Sequence, residues 1–279
     1  MSTTPNYPIE RNKFAINGLR LNCLDYGGAG KPAMLFIHGG SAHANWWDFV
    51  APAFADRYHV LALDQRGHGE SEWSGEWAYG STYYAADIDA LLDMWKFGAP
   101  ILIGHSMGAH NVLVYASQHP EKLRAMAVFD APPDYTPASV AYLRTYADRP
   151  ARRFATLDEA VASFKVLPRE TMARREVLDH VARLSYKQLD DGSWTHKLDR
   201  RTLIRRPVDV LGALGQITCP ALLVKIVRSP LLTNEQARAM AAAMPHGQLE
   251  FLEDSYHHAM LDNPAGTIEI LNRFAARIS

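Results

Sequence analysis

Cysteine is scarce: Cys23 and Cys219 are the only two in 279 residues, each within an apolar, strand-like run. Two thiols so placed give no disulfide framework and no cysteine metal site, and both read as buried, unreactive thiols. Nowhere does the chain reach the ~20 consecutive apolar residues that a membrane-spanning helix needs. Met1 to Pro8 contains neither a basic stretch nor an apolar one, so no secretory signal is expected and a cytoplasmic location is. Excess charge is missing too, with 29 Lys and Arg against 30 Asp and Glu. That balance gives no general attraction to nucleic acid or to a membrane. The expected partner is a small-molecule substrate, and the expected assembly a monomer or homodimer. No internal repeat or low-complexity tract occurs, which sets aside solenoids and disordered arrays.

What remains is an ordinary globular composition, 48% hydrophobic and 21% charged, sized for one α/β domain with an insertion. Residues 14–24 alternate in polarity around Asn17-Gly18 and read as a β-hairpin. Apolar runs at 33–37, 58–63, 99–103, 123–129, 221–227 and 248–252 read as buried strands. Helical periodicity lies between them at 81–97, 109–119, 235–244 and 267–278, with Asp87, Asp89 and Asp93 expected on the wet side of the first helix. Such alternation predicts an α/β fold: a mainly parallel, eight-stranded sheet covered by helices on both faces. Between 134 and 206 the strand-like runs give way to helical stretches at 157–164 and 176–184. A helix at 207–214 then leads back. This predicts a core of 1–133 and 207–279 carrying a helical cap of 134–206.

Gly104-His105-Ser106-Met107-Gly108 stands between a strand and a helix. Two glycines permit a tight turn that exposes the serine hydroxyl, and the helix start directs N–H groups at an oxyanion formed beside it. This G-x-S-x-G resembles the nucleophile elbow of the capped α/β-hydrolases. His38-Gly39-Gly40-Ser41 and the D-x-R-G-x-G-x-S stretch from Asp64 to Ser71 are similar to that family as well. The resemblance implies an oxyanion hole made by the N–H groups of Gly40 and Met107. Asp64 and Arg66 are expected to pair and brace their loop. His105 is expected to pack, His110 and Asn111 to pack or lie on the helix surface, and His68 to take no catalytic part.

A serine hydroxyl needs a base, and the base needs an anionic partner. The resemblance places the histidine after the eighth strand of the sheet. Counting back from Pro264 aligns His257, with its neighbour His258 as the rival, although Tyr256 stands where the family usually has glycine. The acid commonly follows the seventh strand in a G-x-x-D pattern, but here that slot reads Ile226-Val227-Arg228-Ser229, and serine carries no charge. Some members place the acid after the sixth strand, where this chain has Asp130. Asp134 and Asp254 are the alternatives, the latter expected to turn outward. One relative type with that placement hydrolyses the amide of an acetamidomethylene-succinate.

Residues 134–206 hold 15 of the Lys and Arg and 10 of the Asp and Glu, a net +5 against −6 elsewhere. Most surface charges face water. Arginines that turn inward can instead grip a carboxylate through two parallel hydrogen bonds. Arg144, Arg149, Arg152 and Arg153 are the nearest, with Tyr186, Trp194 and Trp46 as apolar walls and Asp190 to Trp194 as a hairpin turn. The expected activity is hydrolysis of a carboxylic ester or amide of a small, carboxylate-bearing substrate by Ser106, His257 and Asp130, calling for no cofactor and no metal. Carbon–carbon bond hydrolysis and cofactor-free oxygenation use the same scaffold, and a non-catalytic receptor would keep the fold alone. A serine at the elbow disfavours epoxide hydrolysis and dehalogenation, whose enzymes resembling this fold use aspartate there.

Overall fold

The computed structural model describes residues 8–96, 98–204 and 209–278. Its strands are β1 (Glu10–Ile16), β2 (Leu19–Asp25), β3 (Ala33–Ile37), β4 (His59–Leu63), β5 (Ile101–His105), β6 (Ala125–Phe129), β7 (Tyr186–Gln188), β8 (Trp194–His196), β9 (Ala221–Ile226) and β10 (Gly247–Leu252). Eight of them form one sheet in the order β1-β2-β4-β3-β5-β6-β9-β10, and β7 pairs with β8 apart from it. The β1–β2 and β2–β4 pairs are antiparallel, and the remaining neighbours in the large sheet are parallel. The seventh and eighth strands of the sequence reading are therefore β9 and β10. Asn17 and Gly18 both take positive φ, 48° and 77°, as a two-residue hairpin turn requires.

The described helices are α1 (Ser81–Trp95), α2 (Met107–Gln118), α3 (Pro137–Ala147), α4 (Leu157–Ser163), α5 (Arg175–Leu184), α6 (Val210–Ala213), α7 (Asn234–Ala243), α8 (Ala259–Asp262) and α9 (Pro264–Arg277). None is long and apolar enough to cross a membrane. Alternate residues of each parallel strand feed opposite cores. Leu35, Ile37 and Leu102 pack with Ile88 and Leu91 of α1 and Val112 and Leu113 of α2. Met34, Phe36 and Ile103 pack on the other face with Trp47, Phe54 and Phe274 of α9. Each such large side chain, fully buried, contributes about 1.5–3 kcal/mol.

Several expectations change. β5 runs through Gly104 and His105, and α2 starts at Met107 rather than Ala109, so Ser106 is the single residue between strand and helix. α3 has no buried residue and hence no apolar stripe to read. The expected junction at 206/207, the start of the helix from Pro207 and Phe97 at the end of the α1 pattern lie outside the described residues.

Asp64 and Arg66 do not pair. Asp64 accepts from the Ala44 and Glu70 N–H groups (2.6 and 2.9 Å) and from Asn22 Nδ2 (2.8 Å), tying three loops together. Arg66 instead reaches Asp87 of α1 through Nε (2.6 Å) and Nη2 (2.5 Å). Asp87 is thus buried, 1% exposed, not on the wet face. A paired buried ion that loses its partner leaves an uncompensated charge in a medium of low polarisability. Asp87→Ala is therefore expected to lower the unfolding free energy by about 3–5 kcal/mol in urea denaturation. A loss under about 1 kcal/mol would mean that water already solvates the guanidinium.

Candidate active site

Ser106 takes φ 53° and ψ −118°, a region that a side chain other than hydrogen enters only when the surroundings impose it. What imposes it is the contact of backbones on either side. A Cβ at Gly108 would lie 2.4 Å from the carbonyl oxygens of Ile37 and His38, and one at Gly104 would lie 2.7 Å from that of Gly108. Larger residues at these positions would push α2 off the sheet. The Ser106 N–H donates to Phe129 O (3.0 Å), and its carbonyl accepts from the His110 N–H (3.1 Å). The elbow is thereby fastened to β6 and to α2.

Asp130 directly follows β6, also at positive φ (48°), with no exposed surface. Its N–H donates to Val224 O on β9 (3.0 Å). His257 lies in the turn between β10 and α8, and its Nδ1–H donates to Asp130 Oδ2 at 2.7 Å. That bond leaves Nε2 as the nitrogen able to take a proton. Ser106 and His257 line one cavity of about 310 Å³. Burial pushes the Asp130 carboxyl up to about 6, opposed by a hydrogen bond from Ser229 and the positive charge of Lys225. Burial pushes the His257 imidazole down to about 3. At neutral pH this is a carboxylate beside a neutral imidazole.

Ser229, in the slot where the family pattern would put its acid, supports Asp130 instead of replacing it. Lys225, 2% exposed, donates to the carbonyls of Ile226, Val227 (3.4 Å) and Ser229 (3.0 Å). Neither residue was singled out as a supporting group by the sequence reading, which had noted Ser229 only for its missing charge.

Gly40 and Met107, the expected oxyanion donors, line the cavity with Ser106. Met107 opens α2, and the first turn of a helix directs its N–H groups outward from the N-terminus. The rival groups point elsewhere. His258 donates from Nε2 to Pro168 O (2.9 Å), and His105 from Nε2 to His257 O (2.9 Å). Asp254 is exposed and paired with Arg228 (2.9 Å), and Asp134 is exposed. Among the described residues, His105, His257 and His258 bring ring nitrogens within 4.8 Å of one another, a spacing near that of metal ligands. Each of these rings already uses one nitrogen in the hydrogen bonds above.

The expected substrate contacts fall outside this cavity. Arg144 pairs with Asp148 one helical turn on (3.5 Å), and Arg153 pairs with Asp191. Arg149 lies over the Tyr146 ring and Arg152 over Phe154, each 4.8 Å from the centroid. Tyr186 packs edge-on to Phe154, and Trp194 is bonded through its backbone to Phe154. Trp46 is buried against His258. The cavity is walled instead by Pro132, Leu143, Leu167, Leu203 and Leu231, with Arg169 and Glu170 at its polar side. His110, expected to pack or lie on the helix surface, lines it while stacked on Tyr135 (4.6 Å between centroids). Arg169 carries no local pattern that would have marked it.

A family model described as the alpha/beta hydrolase fold matches residues 32–264. The chain is 35% identical to 2-(acetamidomethylene)succinate hydrolase of Mesorhizobium japonicum over 118 residues, 42% of this chain and 41% of that protein, so the match spans less than half of either. It is 27% identical to N-formylmaleamate deformylase of Pseudomonas putida over 90% of both chains. The crystal structure of E-2-(acetamidomethylene)succinate hydrolase superposes with a TM-score of 0.86, covering 96% of this chain and 100% of that one at 23% identity, a likeness of fold.

Asp130→Asn is expected to keep the fold and lower kcat for an aryl ester by about 10⁴, because an amide cannot fix the tautomer or stabilise an imidazolium. Because burial disfavours the imidazolium, protonating the pair takes more acid than an exposed imidazole needs. The acid limb of kcat/KM is therefore expected at about pH 6 or below. A limb above pH 7 would contradict the burial argument.

Proposed function

The chain belongs to the α/β hydrolase fold family, and on that premise we propose that it is a serine hydrolase cleaving a carboxylic ester or amide through an acyl-enzyme. The observation that carries this reading is the 2.7 Å His257–Asp130 hydrogen bond behind a cavity that Ser106 also lines. His257 Nε2 takes the Ser106 proton as Oγ attacks the carbonyl carbon. The carbonyl electrons move to oxygen, where the N–H groups of Gly40 and Met107 receive the charge. His257 passes its proton to the leaving alkoxide or amine as the carbon–leaving-group bond breaks. Water, deprotonated by the same nitrogen, then adds to the acyl carbon, and collapse returns the proton to Ser106 and frees the acid.

Substrate size follows from the cavity, since about 310 Å³ admits a small acyl compound. Its walls are mainly apolar with Arg169 and Glu170 side by side at the polar end, and Arg169 is the group assigned to meet a substrate carboxylate near the reacting carbonyl. Two relatives named for a succinate and a maleamate support the same choice and bring amides in beside esters.

A fluorophosphonate probe is expected to label the wild-type protein and not Ser106→Ala. Across a series of aryl esters and carboxylate-bearing amides, the alanine variant is expected to lose kcat by about 10⁴ or more. Turnover by Ser106→Ala at the parent's rate would end this reading.

A further inference from the structure

A second cavity, about 300 Å³, lies within the 134–206 segment, bounded by the end of α3, the loop after it, α4 and the β7–β8 hairpin. Five cations line it: Arg149, Arg152, Lys165, Arg169 and Arg200. No carboxylate lines it, and among the described residues none of the five has an acidic partner within ion-pair distance. Several surrounding arginines behave otherwise. Arg144, Arg153, Arg175, Arg183 and Arg201 each pair with an aspartate. Arg174 and Lys187 of the same segment also lack an acidic partner among the described residues, so what sets this cavity apart is that five cations line one concavity with no carboxylate among them.

Three of these cations have fixed neighbours, whereas Lys165 and Arg169 are exposed. Arg149 and Arg152 rest on aromatic faces, and Arg200 donates from Nη2 to the Tyr146 carbonyl while its buried Nε has no hydrogen-bond partner. Burial and the neighbouring Arg149 charge push the Arg200 guanidinium down from its ordinary range, so like charges repel across the cavity. An anion entering here would relieve that repulsion, and planar guanidinium groups already positioned lose little freedom in binding it. Arg169 lines both this cavity and the one holding Ser106 and His257.

We propose that this second cavity binds a group with two or more negative charges, belonging to the same substrate whose acyl carbon meets Ser106. The substrate is then bipartite: a small acyl part against the apolar walls, and a polyanionic part, phosphorylated or polycarboxylate, beyond Arg169. This assignment rests on the hydrolase reading for its purpose, but its test does not depend on turnover.

Calorimetric titration of Ser106→Ala with pyrophosphate, with tricarballylate and with acetate, at low ionic strength, measures the site directly. At least one polyanion is expected to bind saturably with a Kd below about 1 mM, and acetate not to saturate. The tighter of the two polyanions identifies phosphate or polycarboxylate chemistry. Adding either Arg149→Gln or Arg152→Gln is expected to weaken that binding at least about tenfold. Adding Arg153→Gln, which removes an equal charge from a paired neighbour, is expected to leave it within about twofold. Unchanged melting temperatures without ligand identify folded variants, and Lys165→Gln takes the place of any that fails to fold. Absence of saturable polyanion binding, or equal weakening by Arg153→Gln, would overturn the proposal. Loss of ester turnover in Ser106→Ala, with binding retained, bears on the hydrolase reading alone.

Discussion

An imidazole is held in one tautomer by whatever accepts its N–H, and here that acceptor is a carboxylate with no exposed surface. Burying such a charge is costly unless hydrogen bonds and a counter-charge surround it. The end of β6 supplies the carboxylate. The end of β9 and the loop after it supply the compensation, through the charge of Lys225 and through Ser229. Lys225 poses the mirror problem, and its ammonium is met by carbonyls of the same loop. The opposite charges of Asp130 and Lys225 therefore stabilise one another without a direct salt bridge, and the ammonium is completed by backbone carbonyls. Because backbone cannot be exchanged by mutation, the loop conformation itself becomes part of the proposed catalytic site.

The nucleophile depends on a second constraint, the approach of α2 to the end of β3. Gly104 and Gly108 allow the approach, and a buried polar chain holds it. His38 Nε2 accepts from the Gln65 N–H (3.0 Å), while the Gln65 side chain donates to His38 O (2.7 Å) and accepts from Asn111 Nδ2 (2.5 Å). This links the loop bearing Gly40, the loop after β4 and the helix opening with Met107. The two proposed oxyanion donors come from separate segments, so their spacing relies on this chain of bonds. A buried hydrogen-bonded network of this kind resists the small displacements that would misplace them.

The sheet was legible because each parallel strand is buried on both faces and so appears as an unbroken apolar run. The first hairpin was legible because Asn17-Gly18 tolerates positive φ. Gly104 to Gly108, with the histidine loop, marked the place of the site, since both sit at carboxyl ends of strands. What the sequence hid were partnerships. Asp87 looks like a wet helical carboxylate until Arg66 is brought against it by the turn after β4. Arg144 looked available for substrate, yet Asp148 stands four residues on, a spacing that already supplies a partner. Arg169 matters because of which cavities it borders, a property of tertiary packing that no local pattern encodes. α3, with no buried residue, left no periodicity at all.

The position of the acid has a geometric explanation rather than a historical one. β6 and β9 are hydrogen-bonded neighbours, with Phe129 opposite Val224, and β9 continues through Ile226 before its loop begins. A carboxylate from either strand end can therefore approach the same imidazole, provided that the other end does not also present a charge. Two carboxylates there would raise each other's pKa and leave one protonated. With Asp130 after β6, the corresponding slot after β9 carries the neutral Ser229, which adds no second negative charge beside the carboxylate.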